Sequence, residues 1–178
     1  MRLWGAWVLA IVYFWLARPD TASMWMGGAI ILSGLVVRGW AAGVLEKDRE
    51  LAVSGPYAFT RNPLYLGSFV IGAGAAVAGG RLWIGLLFLA FFIWAYRGPM
   101  AREGGRLEEH FGDAYRRYRN AVPAFLPRVT PYRPPAEPVP VPTRFSLARY
   151  GRNREWEAAL GGAAAMGLLA LKAAGLLG

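Results

Sequence analysis

Five apolar blocks with few charges divide this chain, and they limit its fold more than any other feature. They run over residues 3–17, 24–45, 64–78, 82–96 and 156–177. A helix needs about 20 apolar residues to cross a bilayer, with a working range of roughly 17–25. The second and fifth blocks meet this length and the first just reaches it. The third and fourth are shorter and only Gly79, Gly80 and Arg81 separate them. They read as a tight helical hairpin whose ends other helices shield. Lipid offers no partner to a backbone N–H or C=O, so a segment that satisfies its own backbone, a helix, is the workable form. The expected fold is therefore all-α: an integral membrane helical bundle of about five transmembrane helices, forming a single domain over residues 1–178. Gly67, Gly72, Gly74, Gly79 and Gly80 equip the third block for close helix approach.

The charge pattern supports the same reading. The net charge is +9, which in a soluble chain would suggest nucleic acid. Here the basic residues sit in loops between apolar blocks, the arrangement that orients a membrane protein, so no nucleic-acid partner is expected. Lys47, Arg49 and Arg61 lie between the second and third blocks, and twelve Arg lie between Arg97 and Glu155. The opposite side holds only Arg18 and Arg81. The basic loops should face the cytoplasm, which makes the protein multi-pass with its N-terminus inside. The first block carries bulky Trp and Tyr and no small-residue cleavage site, so it reads as retained rather than as a signal peptide. An Ala-, Gly- and Arg-rich composition points to a bacterial source and hence to the inner membrane. The absence of Cys excludes disulfides, thiolate metal sites and Cys nucleophiles, and a lone His110 excludes a His-based metal cluster or triad. No metal is expected.

The long cytoplasmic segment has several parts. Residues 99–111 read as a helix stopped by Gly112. A second short helix over 113–120 has Asp113 placed to cap it. Eight of the twelve prolines fall between Pro123 and Pro142, which makes residues 123–143 a stiff extended strap. Residues 144–155 read as a basic amphipathic lead-in lying at the headgroups. Arg38, inside the second block, has two readings: it snorkels to the inner surface, or it lines a cavity.

Two polar clusters flank the third and fourth blocks. The first is Gly55-Pro56-Tyr57-Ala58-Phe59-Thr60-Arg61-Asn62-Pro63-Leu64-Tyr65-Leu66-Gly67. Asn is favoured as an N-cap and Pro at the first helical position, so a helix should begin at Asn62–Pro63. Its free amides and partial positive charge suit an anion, and Arg61 adds a forked donor for a carboxylate or phosphate. The plain alternative is a capped transmembrane helix with an interfacial Tyr and a snorkelling Arg. In the second cluster, Glu103 and Leu107 share a helix face, Phe111 follows a turn later, and Arg102, Arg106 and Glu109 fall on other faces. Tyr115 and Tyr118 make one side of the next short helix aromatic. Arg116, Arg117 and Arg119 suit lipid phosphates.

Gly-Pro-Tyr-x-x-x-Arg-Asn-Pro-x-Tyr-x-Gly, then Glu103, then Phe-Gly-x-x-Tyr-x-x-Tyr and Val-Pro, resembles the isoprenylcysteine carboxyl methyltransferases and the related phospholipid N-methyltransferases. The resemblance covers roughly residues 51–128. It implies an integral membrane enzyme that takes a methyl group from S-adenosylmethionine and releases S-adenosylhomocysteine. It also implies a cofactor-binding cap over residues 97–128 on the cytoplasmic side. Tyr57, Arg61, Asn62, Pro63, Tyr65 and Gly67 match the first motif, with Asn62 where many relatives have His. Glu103 matches the first of two acids, and Gly104 stands where the second is expected, which would pass its contacts to Glu108 or Glu109. Tyr115 and Tyr118 match the late tyrosines.

On this resemblance the cofactor carboxylate suits Arg61 and the helix start, and its ammonium or ribose suits Glu103. Adenine suits Leu107, Phe111 and Tyr115. A carboxylate acceptor is already ionised at neutral pH and would be steered by Arg97 or Arg102. An amine acceptor needs a base, for which His110 is the single imidazole. The expected partners are membrane lipids and a hydrophobic small-molecule or prenylated acceptor entering sideways from the bilayer. The residues do not choose among carboxylate, amine and thiol acceptors, nor fix an oligomeric state. Two other readings compete: an NADPH-dependent membrane reductase of the sterol reductase type, and a non-catalytic membrane lipid-binding protein on the same scaffold.

Overall fold

The structure is a computed structural model that describes residues 2–46, 50–134 and 145–177. Lys47, Arg49 and most of the proline-rich strap, residues 135–144, lie outside the described residues. The described residues are helical, with no strand among them. In chain order the helices are α1 (Arg2–Leu16), α2 (Thr21–Val44), α3 (Pro63–Ala78), α4 (Leu82–Ala121), α5 (Leu147–Arg152) and α6 (Trp156–Ala173), with a 3₁₀ turn at Gly55–Ala58 before α3. Two of them, α2 and α4, are long and apolar enough to cross a membrane. Trp15, Trp25, Leu32, Leu86 and Trp94 are largely exposed on the outside of the bundle, the reverse of a water-soluble surface.

Helices α2 and α3 are packed backbone to backbone. A Cβ on Gly27 would lie 2.5 Å from the Gly74 carbonyl oxygen, and one on Gly34 would lie 2.9 Å from that of Gly67. The two contacts are reciprocal, because Cβ atoms on Gly67 and Gly74 would meet the Gly34 and Gly27 carbonyls at 2.9 and 2.7 Å. In lipid no hydrophobic force drives helices together, and small residues that bring backbones close supply van der Waals contact instead. At the far end, Asp20 and Ser23 form a capping box that starts α2. There Lys172 of α6 donates to the Phe14 and Trp15 carbonyls at 2.6 and 3.0 Å, closing the end of α1.

The second polar region departs from expectation. The fourth block and the helix expected at 99–111 are one helix, α4, which runs through Pro99. Proline removes a single backbone donor, and a long helix absorbs that loss. The expected break comes at Gly112, whose φ of 51° and ψ of −123° leave the helical region, and the chain resumes its helix at once. Asp113 does not serve as the expected cap: it is exposed and accepts hydrogen bonds from Arg116, three residues on. Arg119 pairs with Glu108 rather than standing free for lipid phosphate.

The lead-in to α6 is tied to the end of α2. Ser146 N and Arg149 Nε donate to the Gly43 carbonyl, each at 2.9 Å. Asn153 Nδ2 donates to the Ala42 and Leu45 carbonyls at 2.9 and 3.2 Å. These are carbonyls that a helix end leaves unsatisfied.

Candidate cofactor site

The site begins with the chain entering α3. Asn62 is the N-cap by position and Pro63 opens the helix, as the residue types dictate. The Asn62 side chain does not cap; its Nδ2 donates to the Ala124 carbonyl at 2.8 Å. This is one of several ties to the segment after α4. Arg61 N donates to Pro123 O at 3.0 Å, Thr60 Oγ1 to Phe125 O at 3.0 Å, Arg128 N to Phe59 O at 2.9 Å and Tyr132 N to Ala58 O at 2.9 Å. The buried Tyr118 hydroxyl donates to the Tyr57 carbonyl at 2.7 Å. The turn before α3 is thus clamped to the C-terminal part of α4 and the start of the strap.

Clamping these elements together encloses a cavity of about 1100 Å³. Tyr57, Arg61, Asn62, Pro63 and Tyr65 line one wall, and Arg102, Glu103, Leu107 and Phe111 line another, with Tyr118 at their junction. Arg61 and Glu103 therefore face the same space. The Arg61 Nη1 donates to the Tyr115 hydroxyl at 3.2 Å. Its Nε is buried and has no hydrogen-bond partner, the single such side-chain atom among the described residues. Glu103 interacts with the phenols of both Tyr65 and Tyr57. Burial, reinforced by the Glu103 charge, pushes the Tyr57 phenol far above its usual range, and burial does the same to Tyr118 despite nearby Arg61. Both phenols are neutral hydrogen-bonding groups at any physiological pH.

Three expected site residues fall elsewhere. Gly67 does not line the cavity; it packs against Gly34 and the Arg38 side chain, so its missing Cβ serves helix approach. Tyr115 is buried behind the wall and reaches the site through Arg61. Arg97 is absent from the lining, while Tyr96 and Arg102 are present. One residue along a helix is a rotation of about 100°, which separates it from Tyr96. Conversely, Arg102 and Glu109 border the cavity although they lie off the Glu103 face, while Arg106 and His110, three and seven residues after Glu103, border it from that face itself, against the expectation for Arg106. The cavity is wide enough to border several faces of α4, so a single-face reading is too narrow.

A family model described as phospholipid methyltransferase matches residues 22–114, more than half of the 178 residues. The chain belongs to the phospholipid methyltransferase family. It is 33% identical over 85 residues to a protein-S-isoprenylcysteine O-methyltransferase of Schizosaccharomyces pombe, covering 47% of this chain and 36% of the relative. It is 32% identical over 120 residues to the nickel-cobalt-cadmium resistance protein NccN of Alcaligenes xylosoxydans xylosoxydans, covering 61% of this chain and 55% of that protein. The chain thus spans about a third to a half of the length of these relatives. No solved structure matches it.

The phospholipid methyltransferase match ends before several residues that build the site. Tyr118 and the strap carbonyls of Pro123, Ala124 and Phe125 lie beyond it. So do Asn153 and Glu155, which also line the cavity. Sequence reasoning did not find Glu155. Its signal was an acid at the start of an apolar block, which needs a partner inside the bundle, and Arg38 was the available buried cation.

Proposed function

We propose that this protein is an integral membrane methyltransferase that moves a methyl group from S-adenosylmethionine to a lipid-like or prenylated acceptor, releasing S-adenosylhomocysteine. The observation that carries the reading is that Arg61, whose buried Nε no protein group satisfies, borders a cavity whose other wall bears Glu103. A guanidinium at that wall suits a ligand carboxylate, and the facing carboxylate suits a ligand ammonium or hydroxyls. The cavity, at about 1100 Å³, lies just above the roughly 300–1,000 Å³ usual for small-ligand sites, leaving room for a cofactor and the reactive end of an acceptor.

The bound cofactor supplies an electrophilic methyl group on a sulfonium. Arg61 and the first amides of α3 hold its carboxylate. Glu103 holds its ammonium or ribose hydroxyls, and Leu107, Phe111 and Tyr118 form the apolar slot for adenine. Gly104 has no acid to offer, and Glu108 is engaged by Arg119. Glu109, which lines the cavity, takes the second acidic role. Methyl transfer is an in-line displacement governed by alignment. Arg102, on the cavity wall, steers a carboxylate acceptor, and His110 takes the proton from an amine acceptor. We read α1, α2, α3, the first half of α4 and α6 as five membrane spans with the site at the cytoplasmic face. The acceptor enters from the bilayer between helices.

The test is calorimetric titration of detergent-purified protein with S-adenosylmethionine and, separately, with NADPH. S-adenosylmethionine binding that Arg61→Ala and Glu103→Ala both weaken supports the proposal. Binding of NADPH alone would replace it with a reductase, and binding of neither with a non-catalytic lipid-binding protein.

A further inference from the structure

We propose that Glu155 is a positioning residue of the cofactor cavity, acting through Arg38, so that the segment after the strap is part of the site. The proposal takes from the reading above only what is positioned, namely the Arg61 end of the cavity.

The Arg38 guanidinium of α2 forks onto the Glu155 carboxylate, with Nε to Oε2 at 2.8 Å and Nη2 to Oε1 at 2.7 Å. Glu155 is only 7% exposed. The same guanidinium donates through Nη1 to the Leu64 carbonyl at 3.1 Å and to the Ser68 hydroxyl. Leu64 and Ser68 stand in the first turns of α3, the helix that Arg61 and Asn62 introduce. The Arg38 stem is wedged against Gly67, where a Cβ would lie 2.4 Å from Arg38 Cγ. Arg38 is therefore keyed into the start of α3 on one side and neutralised by Glu155 on the other.

Charge makes the two halves dependent on each other. A half-buried guanidinium that loses its carboxylate is left uncompensated and turns toward water or another anion. Glu46, Glu50, Glu103 and Glu109 border the same cavity, and any anion bound at Arg61 would compete as well. Either move withdraws the donors from Leu64 and Ser68 and frees the first turns of α3. Glu155 lies outside the segment that matches the family, so this control belongs to this chain's own C-terminal region.

The experiment compares wild type, Glu155→Ala, Glu155→Gln and Lys172→Met in detergent. Lys172→Met loosens the same C-terminal segment at the opposite end of the bundle and serves as the control. Hydrogen exchange over residues 61–68 is measured without any ligand, and S-adenosylmethionine affinity is measured by calorimetry. The Glu155 variants should raise exchange over 61–68 and weaken S-adenosylmethionine roughly tenfold, the size of one misplaced charge-assisted bond. Lys172→Met should do neither. Glu155→Gln carries the test if the alanine variant fails to fold, because it keeps the shape and one acceptor. Unchanged exchange over 61–68, or an equal rise in Lys172→Met, overturns the proposal. Wild type that binds no S-adenosylmethionine sinks the cofactor reading, while the exchange data still decide the positioning role.

Discussion

Arg61 and Tyr115 meet at 3.2 Å, guanidinium to phenol, although 54 residues separate them in the chain. The contact fixes the orientation of a guanidinium that borders the cavity. Arg61→Ala should therefore lower S-adenosylmethionine affinity by about 1.5–3 kcal/mol, the worth of a charge-assisted bond. Tyr115→Phe keeps the ring and loses only the hydroxyl that holds the guanidinium, so its loss should be nearer 1 kcal/mol. Calorimetry on both variants checks the order. An equal or larger loss in Tyr115→Phe would mean that the Tyr115 hydroxyl, and not Arg61, carries the binding.

Gly104 stands where a second acid was expected, and its surroundings give a reason. A Cβ there would lie 3.1 Å from the Tyr115 hydroxyl, which is the oxygen that receives Arg61. The Tyr115 ring is rigid and 2% exposed, so it can yield little. Gly104→Ala should gain helix propensity, up to about 1 kcal/mol, yet weaken cofactor binding by displacing that hydroxyl. A thermal midpoint that rises while affinity falls is the expected pair of results. Affinity that rises with the midpoint would detach Tyr115 from the site.

Gly67 belongs to the motif, but its neighbours are Gly34 and Arg38. Gly67→Ala should act mainly on stability, because its Cβ would press on the Gly34 carbonyl at 2.9 Å and on Arg38 Cγ at 2.4 Å. Forcing a methyl into such a contact costs about 1–3 kcal/mol. Thermal unfolding in detergent should register the loss. A variant of unchanged midpoint would show that α2 and α3 can part without penalty.

The apolar blocks and the Asn62–Pro63 helix start were legible because they rest on local rules: span length, cap preference and a proline at the first helical position. That Arg61 and Glu103 would share one site was implied by the resemblance that joins the two polar clusters at the ends of the α3–α4 hairpin, and both border one cavity. What was not legible depends on distant chain. The Asn62 amide looks like a cap from its neighbours, but the carbonyl of Ala124 outcompetes that role. Arg38 had an open choice between snorkelling and lining a cavity until Glu155 was brought beside it from 117 residues away. Helical periodicity placed Arg102 and Glu109 off the Glu103 face, yet both border the cavity. It carried no knowledge of how wide the cavity would be.

Alkaline pH should unfold the protein through its buried phenols. Tyr57 and Tyr118 both have folded-state values pushed far above the ordinary 10.0, chiefly by burial. In the unfolded chain they ionise near pH 10, while in the folded chain they stay protonated. A group whose folded value is raised gives full stability below the unfolded value and loses it as pH climbs toward the folded one. The thermal midpoint should therefore fall from about pH 10 upward, each phenol contributing up to about 1.4 kcal/mol per pH unit. Other bases add little, since Arg does not titrate there and the chain has only Lys47 and Lys172. Tyr118→Phe should start lower at neutral pH, because the hydrogen bond to the Tyr57 carbonyl is gone, and then decline less steeply above pH 10. Melting curves by circular dichroism between pH 8 and about 11.5 read both effects. Parallel slopes in wild type and variant would mean that Tyr118 ionises in the folded protein and is less enclosed than its 2% exposure indicates.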